Sequence, residues 1–526
     1  MEMNGKQSLF FLSFLFLTLF SLGQATPSDT SSPVEILPGV RKLEFRRLAD
    51  GTELQILAGN VRLRQGTTIF SSDSAVLNTT DKTFSGFGNV HINESDTGHV
   101  WSNTMRYHYD RKYAYMNGNV RLTDGHGTLT TPSLEYDVAR QIGTYKNGGK
   151  VVNQRTTVTS TEGTYYADIH DIYFKRNVVM KDPGNTVITD SILYNTEYRT
   201  ARFIAATKIK DSSGRVIETT EGTYDLQSGK AEFTQRTTIV DKSLTVVGDY
   251  IISDDETGIT QIEGRGILID TAKGINIIAD KIFANKRSEA FLATNKPLMI
   301  IRQENDSIYV AADTLFSARL SDLFIDTSAN AKPPSPNDST NRYFEAYRNV
   351  RVFSDSVQSV SDSLFYSFKD SVFQLFQNPV VWSRKSQITG DTIYMFTRNK
   401  KPQYVKAWER SFMVSEVQPG AYNQIRSTRM DGYFIDGLLD SVRARGAAQS
   451  VYFIQDKDSA FTSVNQTESD VIDLYFIKGD LNKVVLRSSV KGTVYPIRQK
   501  PPSEMRLENF QWQEARRPKT KYDLFE

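Results

Sequence analysis

Cysteine is absent from the 526 residues of this chain, which excludes disulfide bonds, thiol catalysis and lipid attachment through an N-terminal cysteine. Only five histidines occur, and none forms an H-x-H or H-E-x-x-H motif, so we expect no dedicated zinc site. The 63 basic and 61 acidic residues nearly cancel, and no long run of lysine and arginine stands out. The electrostatic signature of a nucleic-acid-binding protein is therefore missing, and we expect no nucleic-acid partner.

Motifs that carry catalysis are also missing. The sequence has no G-x-S-x-G motif and no glycine-rich phosphate loop followed by lysine and serine or threonine. Acidic pairs such as Asp254-Asp255 lie in turn-like segments, whereas a glycosidase needs two carboxylates across a cleft. We therefore expect no enzymatic activity, no cofactor and no bound metal.

A repeat occupies the first part of the chain. The pattern Gly-Asn-Val-x-Leu/Ile occurs at 59–63, 88–92 and 118–122, and its asparagines are 29 residues (60 to 89) and 30 residues (89 to 119) apart. A fixed period of this size is typical of stacked repeats. Gly-Asn predicts a turn, because both residues tolerate positive φ. The apolar–polar alternation that follows predicts a strand.

A second strand signature lies about half a period away. An aspartate and a serine or threonine precede alternating apolar residues, as at 73–77, 190–194 and 362–366. The aspartate predicts a turn, because its side chain can bond to its own backbone two residues further on. The interleaved signatures predict an all-β fold of stacked antiparallel strands, with repeats of about 30 residues and almost no helix.

The apolar positions of both signatures should point the same way and line a long interior between two sheets. They are our candidates for the lining of a groove for a long apolar ligand: Val61, Leu63, Val90, Ile92, Met105, Tyr107, Val120, Leu122, Leu134, Tyr136, Val178, Met180, Ile192 and Tyr194. A packed interior that binds nothing would show the same alternation. The pattern by itself therefore favours neither a groove nor a filled core.

The N-terminus predicts export. Lys6 supplies a positive charge, an apolar run extends from Leu9 to Leu22, and Gly23-Gln24-Ala25 offers small residues at a cleavage site. These features are typical of a secretory signal peptide, here residues 1–25.

Further along the chain, residues 327–341 interrupt the strand pattern with several prolines, serines and asparagines. Such a composition predicts a flexible insertion or linker. As a linker it would separate an N-terminal β module, residues 26–326, from a second β module, residues 342–500; as an insertion it would be a loop in one long module. Residues 501–526 form a polar C-terminal tail.

The alternating strand signatures behind a signal peptide resemble the OstA-like proteins of the lipopolysaccharide-transport group, which includes LptA and the periplasmic domain of LptD. The resemblance extends from about Val34 to Pro496 and is best in the first half. It implies a twisted stack of antiparallel strands that is open along one side. The chain is longer than a single bridge protein of this group, so which component it corresponds to stays open.

The resemblance also implies a role, a place and partners. The protein would lie in the periplasm, in association with the outer membrane, and shield the lipid A acyl chains of lipopolysaccharide. Other Lpt-type jellyroll proteins, or further copies of the chain, would stack end to end on its edge strands. The alternative is a structural or adhesive envelope β-solenoid with a packed interior and no lipid. An outer-membrane barrel and a carbohydrate-active solenoid are less favoured by the pattern.

Overall fold

The computed structural model describes residues 33–94, 98–302, 307–323, 338, 340–398, 401–456 and 460–525. The predicted signal peptide lies outside these ranges, as does most of the predicted linker. Within them, no helix is long and apolar enough to cross a membrane.

Antiparallel strands make up most of the described chain, which confirms the all-β, jellyroll-like fold class. The first strands are β1 (Glu35–Ile36), β2 (Lys42–Arg47), β3 (Glu53–Gln65), β4 (Thr68–Asn78), β5 (Thr83–Asn93), β6 (His99–His108), β7 (Tyr113–Thr123), β8 (Thr128–Asp137), β9 (Ile142–Tyr145), β10 (Gly149–Asn153), β11 (Thr156–Ser160), β12 (Glu162–Tyr166), β13 (Asp171–Asp182) and β14 (Asn185–Asn195). The next are β15 (Thr200–Phe203), β16 (Thr207–Asp211), β17 (Val216–Thr219), β18 (Gly222–Asp225), β19 (Lys230–Phe233), β20 (Thr237–Asp241), β21 (Leu244–Gly248), β22 (Tyr250–Asp254), β23 (Ile259–Asp270), β24 (Ile275–Asn285), β25 (Ala290–Thr294), β26 (Leu298–Arg302), β27 (Ser307–Ala311) and β28 (Thr314–Ala318).

A short helix α1 (Leu320–Leu323) follows β28. The remaining strands are β29 (Tyr343–Phe353), β30 (Gln358–Ser367), β31 (Val372–Phe376), β32 (Val380–Ser383), β33 (Ser386–Thr389), β34 (Thr392–Arg398), β35 (Lys401–Gln418), β36 (Ala421–Ile435), β37 (Leu438–Gln455), β38 (Phe461–Ile477), β39 (Asp480–Arg487) and β40 (Lys491–Pro496). Three 3-10 helices complete the described elements: Pro502–Glu504, Glu514–Arg516 and Lys521–Leu524.

Each long strand bends near its middle, and the bends divide the sheet lengthwise into two layers. In β5 the pairing with β6 jumps in register between Phe87 and Val90. At the jump, Gly88 and Asn89 have φ values of 72° and 44°. The extra residue forms a β-bulge, which bends a strand. We call layer I the strand halves that meet at turns such as 79–82, and layer II the halves that meet at turns such as 66–67.

The expectation that Gly-Asn marks a turn between strands is wrong. The pairs Gly59-Asn60, Gly88-Asn89 and Gly118-Asn119 lie inside β3, β5 and β7. Two successive residues of positive φ bend the strand here without reversing it, so the chain passes from one layer into the other.

The recurring aspartate is not a turn residue either. Asp73 lies within β4, and it accepts a hydrogen bond from Asn89 Nδ2 of the neighbouring strand at 2.9 Å. Asp313, just before β28, accepts from Asn349 Nδ2 of β29 at 3.1 Å. The aspartate of one strand thus supports the bulge of the next, which couples the two sequence signatures.

Apolar side chains from both layers fill the space between them. Phe70 of layer II packs against Phe84 and Tyr107 of layer I, with ring centroids 5.2 and 4.5 Å apart, respectively. The main cluster of buried apolar residues runs from Leu57 to Phe476. Its removal from water is the main favourable term in the folding of such a stack.

Strand pairing continues from one side of the 327–341 segment to the other. Ala318 of β28 pairs with Tyr343 of β29, and Tyr309 of β27 pairs with Phe353 of the same strand. The division into two modules stays a prediction, but the sheet has no gap in its hydrogen bonding at this point.

We predict that Gly88→Ala destabilises the protein more than Gly66→Ala. Both glycines have positive φ, so each substitution should cost about 1 kcal/mol. A Cβ at Gly88 would lie 2.3 Å from Asp73 Oδ2, whereas nothing lies within 4 Å of one at Gly66. Moving Asp73 would break its bond to Asn89, at a further cost of about 1 kcal/mol. Thermal unfolding of both variants tests this, and equal midpoints would contradict the role of Asp73.

Candidate functional site

The fourteen residues predicted to line a lipid groove all lie in the interior. Each is at most 3% exposed, and all belong to the main apolar cluster. The bends and the strand alternation together direct them to the same space between the layers. Contact with a lipid stays a prediction, because in this conformation their side chains pack against each other.

A row of side-chain contacts closes the edge opposite the bends, and we call it the polar seam. It joins residues at the layer II turns to residues at the layer I turns, namely Gln65, Glu94, Asp124, Thr156, Asp182 and Asn185 on one side and Tyr107, Tyr136, His170, Thr196, Arg199 and Tyr224 on the other. The two layers are therefore held by backbone at the bends and by side chains at the seam.

Two tyrosines of layer I reach across the seam near its start. Tyr107 Oη donates to Gln65 Oε1, and Tyr136 Oη donates to Glu94 Oε2, each at 2.6 Å. Burial raises the pKa of Glu94 to about 7, although the bond from Tyr136 acts in the opposite direction. Glu94 therefore changes its charge near neutral pH at a contact between the layers.

Asp124 forms the centre of the next seam contact. Its Oδ2 lies 2.9 Å from His170 Nδ1 and accepts a hydrogen bond from Thr196 Oγ1 at 2.7 Å, while its Oδ1 accepts from the Gly127 backbone N–H at 2.7 Å. Burial opposes ionisation, but these hydrogen bonds outweigh it and lower the pKa of Asp124. The His126 backbone N–H also donates to Oδ1, at 2.9 Å. An ionised carboxylate with four partners, two of them in layer I, is a strong contact in this part of the seam.

The seam changes character beyond residue 210, where ion pairs replace the buried hydrogen bonds. Arg215 Nη1 lies 3.2 Å from Asp255 Oδ1, and Lys286 Nζ lies 2.9 Å from Asp241 Oδ2. Partly exposed pairs of this kind contribute little to stability, about 0–1 kcal/mol each. The seam is therefore weakest in the middle of the chain.

An apolar cavity of about 240 Å³ lies between the layers behind these ion pairs. Its apolar lining comes from strands β20 to β29: Ile239, Leu244, Val246, Leu268, Ile275, Ile277, Phe291, Met299 and Phe344. Charged residues surround its mouth: Arg215, Asp241, Asp270, Lys273, Lys286, Glu289 and Arg342. Apolar walls with a polar rim are typical of ligand sites in proteins.

A second cavity of about 270 Å³ lies further along the same interior. Ile308, Val352, Phe373, Leu375 and Met395 line it on the apolar side, and Ser354, Ser356, Lys401 and Asp436 are polar. No group of three or more histidine, aspartate or glutamate side chains that could hold a metal occurs among the residues that the structure describes.

The cavity residues lie outside the stretch in which the sequence predicted the groove. The fourteen candidates end at Tyr194, whereas the lining begins at Ile239. The motif copies in this middle part are degenerate, so the repeat spacing did not single them out. Alternating apolar residues at 266–269 and 275–278, with acidic residues at the adjoining turns, are the signal that could have located them.

We predict that Glu94→Gln increases the free energy of unfolding, relative to the native protein, more at pH 8 than at pH 5. The folded chain holds a proton on Glu94 that the unfolded chain releases, so this group's stabilising effect declines as pH rises from 4.5 to about 7. Glutamine stays neutral and still accepts from Tyr136. Urea unfolding at both pH values tests this, with exposed Glu53→Gln as control. The same change at both pH values would contradict the raised pKa.

Bent antiparallel layers around an apolar interior define this chain as a jellyroll-like β protein. Residues 36–183 and 172–249 match the family model of the OstA-like proteins. Over this region the chain is similar to the OstA-like proteins, which confirms the resemblance seen in its strand signatures.

Among solved structures, LptH from Pseudomonas aeruginosa is similar over part of the chain. LptH is the LptA-homologous periplasmic component of the lipopolysaccharide transport device of that organism; it is 18% identical, with 22% of this chain and 84% of LptH covered and a TM-score of 0.19. The extracellular domain of a hybrid two-component system from B. thetaiotaomicron is 8% identical, with 84% and 98% covered and a TM-score of 0.08. No curated protein matches the chain.

Proposed function

We propose that this protein is a periplasmic Lpt-type component that shields the acyl chains of lipopolysaccharide between its layers and bridges toward the outer membrane. The observation that carries the proposal is the apolar cavity behind the weakest part of the seam. The match to the family model of the OstA-like proteins over residues 36–249 supports it. The role is binding and transport, without catalysis or a cofactor.

The energetic basis is burial of the acyl chain. Each Å² of apolar surface removed from water contributes about 25 cal/mol, for the lipid as for the protein. The basic residues at the mouth, including Arg215, Lys273 and Lys286, offer partners for the phosphate groups of lipid A. Asp241 accepts a hydrogen bond from Lys286. A phosphate that binds Lys286 would therefore have to displace the carboxylate of Asp241.

The interior must widen to take a whole lipid. The cavity of about 240 Å³ is smaller than the roughly 300–1,000 Å³ of most ligand sites. Separating the layers at the seam breaks side-chain contacts, each worth about 0.5–1.5 kcal/mol, and leaves the strand pairing intact. We infer that the seam opens to admit acyl chains, first at the middle of the chain and then toward the fourteen predicted residues.

The ends of the stack are the proposed contact sites for other Lpt-type jellyroll proteins or further copies. Among the described residues, β2 pairs on one side only, with β3, and its Phe45 is 71% exposed. At the other end, β39 pairs only with β38. Strand edges of this kind are templates for pairing with another chain.

The second candidate function is a structural envelope solenoid with a filled interior. The near-complete burial of the N-terminal half favours it, since residues such as Val90, Ile92 and Tyr194 are fully buried by their protein neighbours. Such a protein would fold as seen here and bind no lipid.

We predict that lipopolysaccharide crosslinks to the cavity. Phe291 lies in its lining, whereas Ile188 of β14 is 55% exposed on the outer surface. Each is replaced in turn by photoreactive benzoylphenylalanine, and the full chain is irradiated with lipopolysaccharide. We expect a lipid adduct at position 291 and little at position 188. Equal labelling, or none at 291 in a folded protein, would favour the structural solenoid.

We also predict that fixing the mouth of the cavity prevents loading. The chain has no cysteine, so Asp241→Cys with Lys286→Cys creates one pair for a short bis-maleimide. The control pair is Lys208→Cys with Glu218→Cys, an ion pair of the same 2.9 Å length within layer II. Bridging the mouth should lower the lipopolysaccharide bound, measured by native mass spectrometry, at least severalfold. Equal loading of both bridged proteins would exclude entry through the seam.

A further inference from the structure

The C-terminal tail, residues 502–525, lies across the outer face of layer II. It contains three 3-10 helices and adds no strand to the sheet among the described residues. Its path runs back along the stack, because Met505 contacts β36 and Asp523 contacts β29. The tail is thus packed on a sheet that is already complete.

Two buried glutamines bind the backbone of the tail in the same way. Gln424 Nε2 donates to the Met505 carbonyl at 2.8 Å, and Gln424 Oε1 accepts from the Leu507 N–H at 2.9 Å. Gln387 Nε2 donates to the Gln511 carbonyl at 2.9 Å, and Gln387 Oε1 accepts from the Gln513 N–H at 2.8 Å. Both glutamines are only 1% exposed. Each glutamine side chain therefore hydrogen-bonds to a carbonyl and an N–H of the tail that lie two residues apart, as the backbone of a neighbouring strand would.

These glutamines belong to one row across the sheet. Gln358 pairs with Trp382, which pairs with Gln387, and Gln387 pairs with Val414, which pairs with Gln424. Directly paired residues lie on the same face of a sheet, so the row presents a glutamine on alternate strands. We call it the glutamine row. Gln358 Oε1 accepts from Arg517 of the tail at 2.6 Å.

Apolar contacts anchor the tail at both ends. Met505 and Leu507 are 2% and 7% exposed, in a cluster with Phe412, Val451 and Phe453. Leu524 is 4% exposed, in a cluster with Leu298 and Ala311.

Between these anchors the tail forms one wall of a polar cavity of about 1350 Å³ at the bends. The outer face of layer II therefore binds the tail through the apolar clusters at its two ends and through the glutamine row, and the interface between them is not continuously packed.

We propose that the glutamine row and its apolar flanks form a binding site for an extended peptide, which the chain's own tail fills, and that the same site accepts the tail of a second copy. Recognition is through peptide groups at Gln387 and Gln424 and through side chains at both ends. This is a contact on the outer face, distinct from pairing at strand edges and independent of lipid in the interior.

The tail is suited to exchange between two copies of the chain, because none of its contacts is a strand-to-strand backbone hydrogen bond of the sheet. Residues 497–501 connect it to β40, and Arg498, Gln499 and Pro501 of this connector are exposed. Releasing the tail would break the contacts of the glutamine row and expose the apolar anchors, and every strand would keep its partners. A second tail offers the same groups at the same spacing.

The test separates the tail only after the chain has folded. A protease recognition sequence is inserted between Gln499 and Lys500 of the full chain, and the folded protein is cleaved. We expect the tail fragment to remain bound in gel filtration and to exchange with an excess of fluorescent peptide 500–526, raising its anisotropy. A fragment that leaves at once, with no binding of the peptide, would overturn the proposal.

Matched variants identify the row as the site. Gln387→Ala with Gln424→Ala should weaken binding of the fluorescent peptide about tenfold or more, because four hydrogen bonds are lost. Gln466→Ala is the control: Gln466 extends the row beyond Gln424 and is exposed. It should leave binding unchanged. Equal binding to the double variant and the control would overturn the role of the row, whatever the lipid experiments show.

Discussion

The bend within each long strand is the constraint on which the two layers depend. A strand that passes through Gly88 and Asn89 belongs to both layers, so its backbone hydrogen bonds fix their distance and angle at one edge. A register slip at one bulge would turn the apolar side chains on that strand away from the interior. The hydrogen bond from Asn89 to Asp73 holds the bulge of β5 against the neighbouring strand β4.

The opposite edge is held in a different way, by side chains instead of by backbone hydrogen bonds. Side chains such as Asp124 and His170 close the first part of the seam through buried hydrogen bonds, whereas surface ion pairs close the middle. Breaking either kind of contact leaves the strand ladder untouched. Under the proposed function, the same scaffold would be a filled core where the seam is firm and a lipid site where the seam is weak.

In a stack of strands each element contacts only its neighbours, so distant parts are weakly coupled. The tail is an exception, because it contacts Gln424, Gln387 and Arg351 on strands well separated in the stack. Because the bound tail contacts all of these strands, a movement of one of them would be transmitted to the others. If the tail exchanges between copies, the coupling would extend to a second molecule.

The sequence by itself determined the all-β class, the stacked repeat and the inward direction of residues such as Val90 and Tyr194. Those properties follow from a local period of two within strands and one of about 30 along the chain. Only the tertiary structure decided that Gly-Asn bends a strand, that Glu94 meets Tyr136 42 residues away, and that Gln424 meets Met505 81 residues away. The seam and the cavity depend on how far the two layers close on each other, and the tail site depends on how residues 502–525 fold back over layer II. No local period specifies either arrangement.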